Sequence, residues 1–190
     1  MAVTVQLGST WIGNTSFSVI NFFSFFTIQS NIFAAIVLMA SGLAMVPRWA
    51  IKSDVRFDYL RGAATLYMTI TGVIYILLLS HADVQTPLPW VNAILHYVFP
   101  LVMLADWVAF PPKERIEFRP ALWWLAYPLV YGIYSLLRGY FAHWYPYPFI
   151  SVSQQGYLQV LINCVLVAVF MLFLLQITLM LSRFRQKSSR

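Results

Sequence analysis

The sequence has few charged residues and a single cysteine. Asp, Glu, Lys and Arg make up 9% of its 190 residues, whereas about a quarter of the residues are charged in a typical soluble domain. A chain with so few charges does not fold as an ordinary water-soluble domain. Because Cys164 is the only cysteine, no disulfide can form within the chain.

The sequence also lacks the motifs of several function classes. It has no glycine-rich phosphate loop and no relay of charges along an apolar run, which disfavours nucleotide chemistry and proton pumping. Residues 1–23 contain no Lys or Arg, so they lack the basic region of a cleaved signal peptide. Within the long apolar runs, no two His, Cys or carboxylate residues share a helical face at ligand spacing. We therefore expect no metal and no other cofactor, haem included.

What the sequence does contain is long apolar runs. Apolar residues make up 61% of the chain, and the mean hydropathy is +0.73. Each run is near the ~20 residues that a helix needs to cross a hydrocarbon core of ~30 Å. We predict an all-α fold, a polytopic transmembrane helix bundle with about five spans. The runs are Ser24–Val46, Leu60–Ser80, Val91–Phe110, Ala121–Tyr140 and Tyr157–Leu181.

The basic residues indicate an orientation rather than nucleic-acid binding. Eleven of the twelve Lys and Arg residues lie between the first and second runs or at the start of the second, between the third and fourth runs, or after the fifth run. Since basic residues mark the cytoplasmic side, the N-terminus is expected outside and the C-terminus inside. This predicts an extracytoplasmic segment 1–23, one membrane domain 24–182 and a basic cytoplasmic tail 183–190. Arg48, Lys52 and Arg56 follow the first run, and Arg61 is at the start of the second.

Polar residues recur at one depth within the predicted spans. Three runs each carry a polar pair four residues apart, a spacing that places both side chains on one helical face. In the predicted topology all three pairs lie in the outer half of the membrane, which suggests a single site. The pairs are Thr27 with Asn31, Asn92 with His96, and Gln159 with Asn163.

Thr27 and His96 are candidates for a nucleophile and its base. A hydroxyl nucleophile needs a base within about 2.6–3.2 Å, and an imidazole titrates in the useful range. The two residues lie one and two turns below the outer boundary, so they can meet. A buried packing role for His96 remains an alternative. We expect Asn31 or Asn92 to bind the oxyanion or to orient the imidazole.

Asp106 and Arg138 call for separate interpretations. Asp106 is ~15 Å along the helix from His96, so it cannot orient the imidazole, and we expect it to pair with Arg61 or Arg119. Arg138 ends a helical stripe, and it either snorkels to the outer headgroups or faces a pocket. The stripe either lines a cavity for an amphiphile or forms a packed helix interface. Its residues are Tyr127, Tyr131, Tyr134 and Arg138.

Several motifs resemble the androgen-induced membrane protein family, which includes a large set of bacterial six-span relatives. The likeness runs from about Phe22 to Arg183. Those relatives have an apolar span before the Thr motif, whereas residues 1–23 here are short and rich in Ser, Thr and Asn. We expect either that this helix is absent or that the start lies upstream. The motifs are Phe-Phe-Thr-Ile-Gln-Ser-Asn (25–31), Leu-His-Tyr-Val-Phe-Pro-Leu with Ala-Asp-Trp (95–107), Trp-Tyr-Pro-Tyr-Pro-Phe (144–149), and Gly156-Tyr157 with Asn163.

The resemblance implies a threonine hydrolase that cleaves fatty acid esters of hydroxy fatty acids, with Thr27 and His96 as its catalytic residues. We expect a long-chain ester or membrane lipid as the substrate, no nucleic-acid partner, and residence in a bacterial cytoplasmic membrane. Arg138 is the candidate for a substrate carboxylate, and Tyr134, Gln159 and Asn163 for further substrate contacts. The alternative is a non-enzymatic lipid-binding or transport protein whose polar layer is structural.

Overall fold

The computed structural model describes residues 1–13, 17–44, 55–80 and 88–186. Every regular element in these ranges is a helix, which confirms the all-α prediction. Arg48, Lys52 and the end of the tail, residues 187–190, lie outside the described part. The helices are α1 (Ala2–Gly13), α2 (Val19–Phe23), α3 (Phe26–Ala44), α4 (Val55–Ile74), α5 (Pro89–Ala93), α6 (Phe99–Ala109), α7 (Phe118–Ala121), α8 (Ala126–Ala142) and α9 (Val152–Gln186).

Four helical stretches of the described residues are long and apolar enough to cross a membrane. They correspond to four of the five predicted spans, and they confirm a membrane protein. The other predicted span, Ala121–Tyr140, contains a 3₁₀ turn at Leu122–Leu125, after which α8 runs for 17 residues. The four stretches are Phe26–Leu43, Val55–Leu79, Pro89–Ala109 and Val152–Arg183.

Helix α4 lies at the centre of the bundle and contacts α3, α6 and α9. All residues from Arg61 to Gly72 are buried. Small residues let neighbouring helices approach closely, and an added Cβ at Gly62 would overlap the Trp124 ring. The hydroxyls of Thr65 and Thr69 each donate to the carbonyl four residues back, at 2.9 and 2.8 Å. These bonds satisfy polar groups on a helix that is surrounded by other helices.

An ion-pair cluster lies at one end of α4. Arg61 Nη2 is 2.9 Å from Asp106 Oδ2, and Arg61 Nη1 is 3.3 Å from Asp58 Oδ1. The Arg61 side chain also donates to the Phe110 carbonyl at 2.8 Å. Asp106 therefore pairs with Arg61, as the spacing argument predicted.

The N-terminal segment is helical and packs on the bundle. Helix α1 has 12 residues, which span ~18 Å, less than the ~30 Å of a hydrocarbon core. Its side chains Ala2, Val3 and Val5 pack against a cluster that includes Val91 and Leu95. Helix α1 thus supports the part of the fold that carries His96.

The helix that carries His96 is widened into a π turn at Ile94–Val98. Pro100 has no N–H, so it cannot donate to the His96 carbonyl four residues back. Instead, the Phe99 N–H donates to the Ile94 carbonyl, a bond of the π type. A second π segment, Tyr75–Leu79, extends α4 at the same end of the bundle.

Candidate active site

Thr27 lies in the first turn of α3, where backbone N–H groups have no partner within the helix. Two phenols from elsewhere in the chain satisfy these donors. The Phe26 N–H donates to Tyr131 Oη at 3.2 Å, and the Thr27 N–H donates to Tyr147 Oη at 3.3 Å. Tyr131 comes from α8 and Tyr147 from the loop before α9. The start of α3 is therefore positioned by α8 and by the loop before α9.

His96 faces Thr27 with the nitrogen that can accept a proton. Its Nδ1 lies 3.1 Å from the Asn92 carbonyl, and because a carbonyl only accepts, Nδ1 carries the proton. Nε2 is then an acceptor, and it lies 3.3 Å from Thr27 Oγ1. The two side chains are buried, with 4% of His96 and 8% of Thr27 exposed. This is the arrangement of a hydroxyl and its general base, with the slightly long contact that is common without substrate.

The imidazole is also held by an aromatic ring. Tyr75 stacks on it with a centroid distance of 4.0 Å and an interplanar angle of 22°. Tyr75 Oη in turn accepts from Asn92 Nδ2 at 2.5 Å. Asn92 therefore orients the site through its backbone carbonyl and through Tyr75.

Asn31 ties α3 to the segment that carries His96. Its Nδ2 donates to the Thr27 carbonyl at 2.8 Å and to the Leu95 carbonyl at 3.2 Å. Both amide hydrogens are used in this way, so neither is left for an oxyanion. Among the described residues, the Oδ1 atoms of Asn31 and Asn92 are buried without a hydrogen-bond partner. Both Asn side chains orient their neighbours rather than present donors to a substrate.

An apolar cavity of about 240 Å³ adjoins Thr27. Its walls come from α4, α8, α9 and the loop before α9, and they include few polar groups. His96 is not among the lining residues, so the base contacts Thr27 from outside this cavity. The residues that line it include Thr27, Thr71, Tyr131, Tyr147 and Cys164.

A short chain of hydroxyls runs beside Thr27. Ser30 Oγ donates to the Thr27 carbonyl at 3.1 Å. Because that carbonyl only accepts, Thr71 is the donor in its 2.8 Å contact with Ser30. The Thr71 proton is therefore used within the protein.

The tyrosine stripe of α8 forms a hydrogen-bonded interface with the segment 21–29. Tyr127 donates to Gln29 Oε1, Tyr131 donates to the Ser24 carbonyl at 2.9 Å, and Tyr134 Oη lies 2.8 Å from Ser24 Oγ. Of the two interpretations of this stripe, the contacts therefore match a packed interface with satisfied hydroxyls. Tyr131 also lines the cavity, whereas Tyr134 does not.

Arg138 lies apart from the Thr27–His96 pair. Its Nη2 donates to Asn21 Oδ1 at 2.6 Å, and its guanidinium lies 4.6 Å from the Trp144 ring centroid. Arg138 does not line the cavity. The structure therefore does not bring this predicted carboxylate-binding residue to the pair.

Gln159 and Asn163 hold the loop that precedes α9. Asn163 Nδ2 donates to the Phe149 carbonyl at 2.8 Å, and Gln159 Nε2 donates to Asn163 Oδ1 at 3.0 Å. Gln155 Nε2 adds a 3.0 Å bond to the Pro148 carbonyl. Neither predicted residue lines the cavity. They support the segment that carries Tyr147.

The sequence reasoning missed Tyr147. A residue before proline is restricted to extended backbone, and Tyr147 has φ −137° and ψ 142° ahead of Pro148. Its ring stacks on Phe149 at 5.5 Å and meets Phe25 edge-on at 5.8 Å. Burial raises the pKa of the Tyr147 phenol, so the hydroxyl keeps its proton at neutral pH. The Tyr-Pro-Tyr-Pro run was the available signal, although it does not show which helix the phenol reaches.

Within the described ranges, no group of three or more His, Cys, Asp or Glu residues is placed to hold a metal ion. Comparisons with protein-family models, with curated proteins and with solved structures each find no match to this chain.

Proposed function

We propose that this protein is a membrane-embedded threonine hydrolase that cleaves long-chain lipid esters. The observation that carries the proposal is the contact of Thr27 Oγ1 with His96 Nε2 at 3.3 Å, with the proton of the imidazole held at Nδ1. A hydroxyl with a correctly protonated base is the minimal unit of covalent acyl transfer. The motifs that resemble the androgen-induced family contain both residues, which supports the same assignment.

The reaction follows from these two groups. His96 Nε2 takes the Thr27 proton as Oγ1 attacks the ester carbonyl, and a tetrahedral intermediate forms. When the intermediate collapses, the bond to the alkoxide breaks, and His96 returns the proton to the leaving oxygen. Water then attacks the acyl-Thr27 ester by the same route in reverse, which releases the acid. Asn92 and Tyr75 keep the imidazole oriented throughout.

The cavity favours a substrate with a long acyl chain. The space beside Thr27 is bounded mainly by apolar side chains of α4, α8 and α9, and apolar surface buried there stabilises the complex. A substrate that is itself a membrane lipid can reach a buried site from the hydrocarbon. We place the protein in a bacterial cytoplasmic membrane with the site in the outer half, in line with the distribution of basic residues.

The test compares two site variants with a matched control in purified, detergent-solubilised protein. Thr27→Val keeps the shape of the side chain and removes the nucleophile, and His96→Gln removes the base. The control is Thr69→Val, since Thr69 is also buried and donates only within α4. Hydrolysis of a p-nitrophenyl laurate ester and of a fatty acid ester of a hydroxy fatty acid is measured for each.

We expect both site variants to lose at least about 1,000-fold in kcat, while Thr69→Val keeps the wild-type rate. Equal activity of folded wild type and Thr27→Val would show that another group performs the chemistry. If the folded wild type hydrolyses neither ester, the proposal is overturned and a lipid-binding role is favoured. Binding of a fluorescent fatty acid would then be the relevant measurement.

A further inference from the structure

The proposed reaction needs a donor for the oxyanion, and the predicted donors are engaged elsewhere. Negative charge develops on the carbonyl oxygen when Thr27 attacks, and in a dry site a preorganised donor stabilises it strongly. Asn31 uses both amide hydrogens on backbone carbonyls, and Asn92 Nδ2 donates to Tyr75. The donor must therefore be another group near Thr27.

Four hydroxyl groups line the cavity, and the protons of three of them already have acceptors. Thr27 faces His96, Thr71 donates to Ser30, and Tyr131 donates to the Ser24 carbonyl. Tyr147 instead accepts a bond from the Thr27 N–H. The Tyr147 hydroxyl also interacts with the side-chain hydroxyls of Thr27 and Tyr131. Because those two hydroxyls direct their own protons to His96 and to the Ser24 carbonyl, the Tyr147 proton can turn from them to an oxygen bound beside Thr27.

We infer that Tyr147 is the oxyanion donor of this site. The inference rests on the proposed function, since it assigns a further catalytic residue to the same reaction. As the Thr27 oxygen bonds to the carbonyl carbon, the carbonyl π electrons move to oxygen, and the Tyr147 O–H donates a hydrogen bond to that oxygen. The proton stays on Tyr147 throughout. When the intermediate collapses, the C=O bond reforms and the ester C–O bond breaks.

The position of Tyr147 is fixed before substrate arrives. The ring is 8% exposed and lies between Phe25 and Phe149, and the loop is tied to α9 through Asn163. The Thr27 N–H points its positive end at the phenolic oxygen and polarises the O–H, so the donor becomes stronger. A ring held in this way needs only a rotation of its O–H group to meet the oxyanion.

The deciding variant is Tyr147→Phe, which removes one oxygen and keeps the ring contacts. The matched control is Tyr67→Phe. Tyr67 is also a buried phenol, and its hydroxyl donates a hydrogen bond to the Trp124 carbonyl. Both are assayed with p-nitrophenyl laurate, and thermal melting in detergent shows that each is folded. We expect Tyr147→Phe to lose about 100- to 1,000-fold in kcat, with KM within threefold of wild type. We expect Tyr67→Phe to turn over at the wild-type rate.

A second measurement separates oxyanion stabilisation from simple support of α3. A long-chain trifluoromethyl ketone forms a tetrahedral adduct with an activated hydroxyl and carries the same oxyanion. Its inhibition constant should rise in Tyr147→Phe by about the same factor as kcat falls, whereas a matched long-chain alcohol should bind equally to both proteins.

The outcomes distinguish failure of this inference from failure of the proposed function. If wild type hydrolyses the ester and depends on Thr27, but Tyr147→Phe matches Tyr67→Phe, only the role of Tyr147 is overturned. A rise in KM with unchanged kcat likewise overturns it, because Tyr147 would then bind the chain alone. If the folded wild type neither turns over the ester nor forms the ketone adduct, the hydrolase proposal itself fails.

Discussion

Hydrogen-bond direction at single residues determines what the site can do. The Asn92 carbonyl holds the His96 proton at Nδ1, and the Tyr147 hydroxyl accepts a hydrogen bond from the Thr27 N–H. Spacing of four residues identified the neighbours Asn92 and His96. It did not reveal that the backbone of Asn92, rather than its side chain, contacts the imidazole.

At the opposite end of α4, we expect Asp106→Asn to lower the free energy of unfolding by about 1–3 kcal/mol. The change leaves the buried Arg61 guanidinium with only Asp58 as a charged partner at hydrogen-bond distance. Thermal or denaturant unfolding in detergent measures the loss. The rate of ester hydrolysis per folded molecule should not change, because the ion pairs lie remote from Thr27.

The control for Asp106→Asn is Glu117→Gln. Glu117 pairs with Arg115 at 3.2 Å, but the two side chains are 64% and 62% exposed. An exposed ion pair contributes at most about 1 kcal/mol, so the control should unfold almost as the wild type does. Equal stability of Asp106→Asn and wild type would show that the buried cluster is not needed to hold α4 and α6 together.

At the scale of elements, the π segment Ile94–Val98 presents His96 to α3, and Gly72 lets α4 approach it. An added Cβ at Gly72 would lie 3.2 Å from the His96 carbonyl and 3.1 Å from Pro100 Cβ. Contacts this short force one helix to shift by a few tenths of an ångström. The π turn and Gly72 together set the distance between Thr27 and His96.

Gly72→Ala should therefore lower kcat by up to about tenfold, since small displacements of catalytic groups are costly. The measurement is kcat for ester hydrolysis together with the melting temperature. Gly42→Ala is the control, because an added Cβ there meets nothing within 4 Å. If Gly72→Ala keeps full activity, the position of His96 does not depend on this close approach.

Gly156 breaks α9 near its start, with φ 76° and ψ 163°. This backbone region is essentially restricted to glycine, so Gly156→Ala should cost about 1–3 kcal/mol of stability. Gly42→Ala, a helical glycine in open space, should be neutral or slightly stabilising. Unfolding in detergent compares the two, and a Gly156→Ala variant as stable as wild type would show that this kink can be rebuilt without glycine.

At the scale of the whole molecule, the cavity exists because α8 and α9 contact the bundle at different places. Helix α8 bonds to the start of α3 through its tyrosines, whereas α9 packs on α4 and α6. The space left between them lies beside Thr27. Cys164 of α9 lines this space and is the only cysteine in the chain.

Cys164 therefore reports on the cavity. We expect octyl methanethiosulfonate to attach to Cys164, place an octyl chain in the cavity and lower ester turnover at least about tenfold through competition with the acyl chain. The smaller methyl reagent should inhibit less, and reduction of the mixed disulfide should restore activity. Cys164→Ser is the control and should be insensitive to both reagents. Full turnover of the octyl-labelled protein would place the acyl chain elsewhere.

The sequence by itself determined the class of the molecule and the residues that meet. Hydropathy and charge are sums over many residues, so the prediction of a helical membrane bundle did not depend on the exact position of any single residue. Depth also predicted a basic partner for Asp106, Arg61 or Arg119, because buried charges in a low-dielectric core need partners, and the structure selects Arg61. Thr27 and His96 were likewise selected by depth and spacing, and the structure brings them to 3.3 Å.

Only the tertiary structure decided which partners the other polar groups have. Arg138, Gln159 and Asn163 have the depth of a site residue, yet their contacts are with Asn21, Trp144 and the loop before α9. Tyr147 lies in a loop, where no helical periodicity predicts its neighbours, and its phenol contacts Thr27, which is 120 positions away in the sequence. Rotation of each helix about its axis and the path of a loop depend on packing between distant segments, and no local pattern records them.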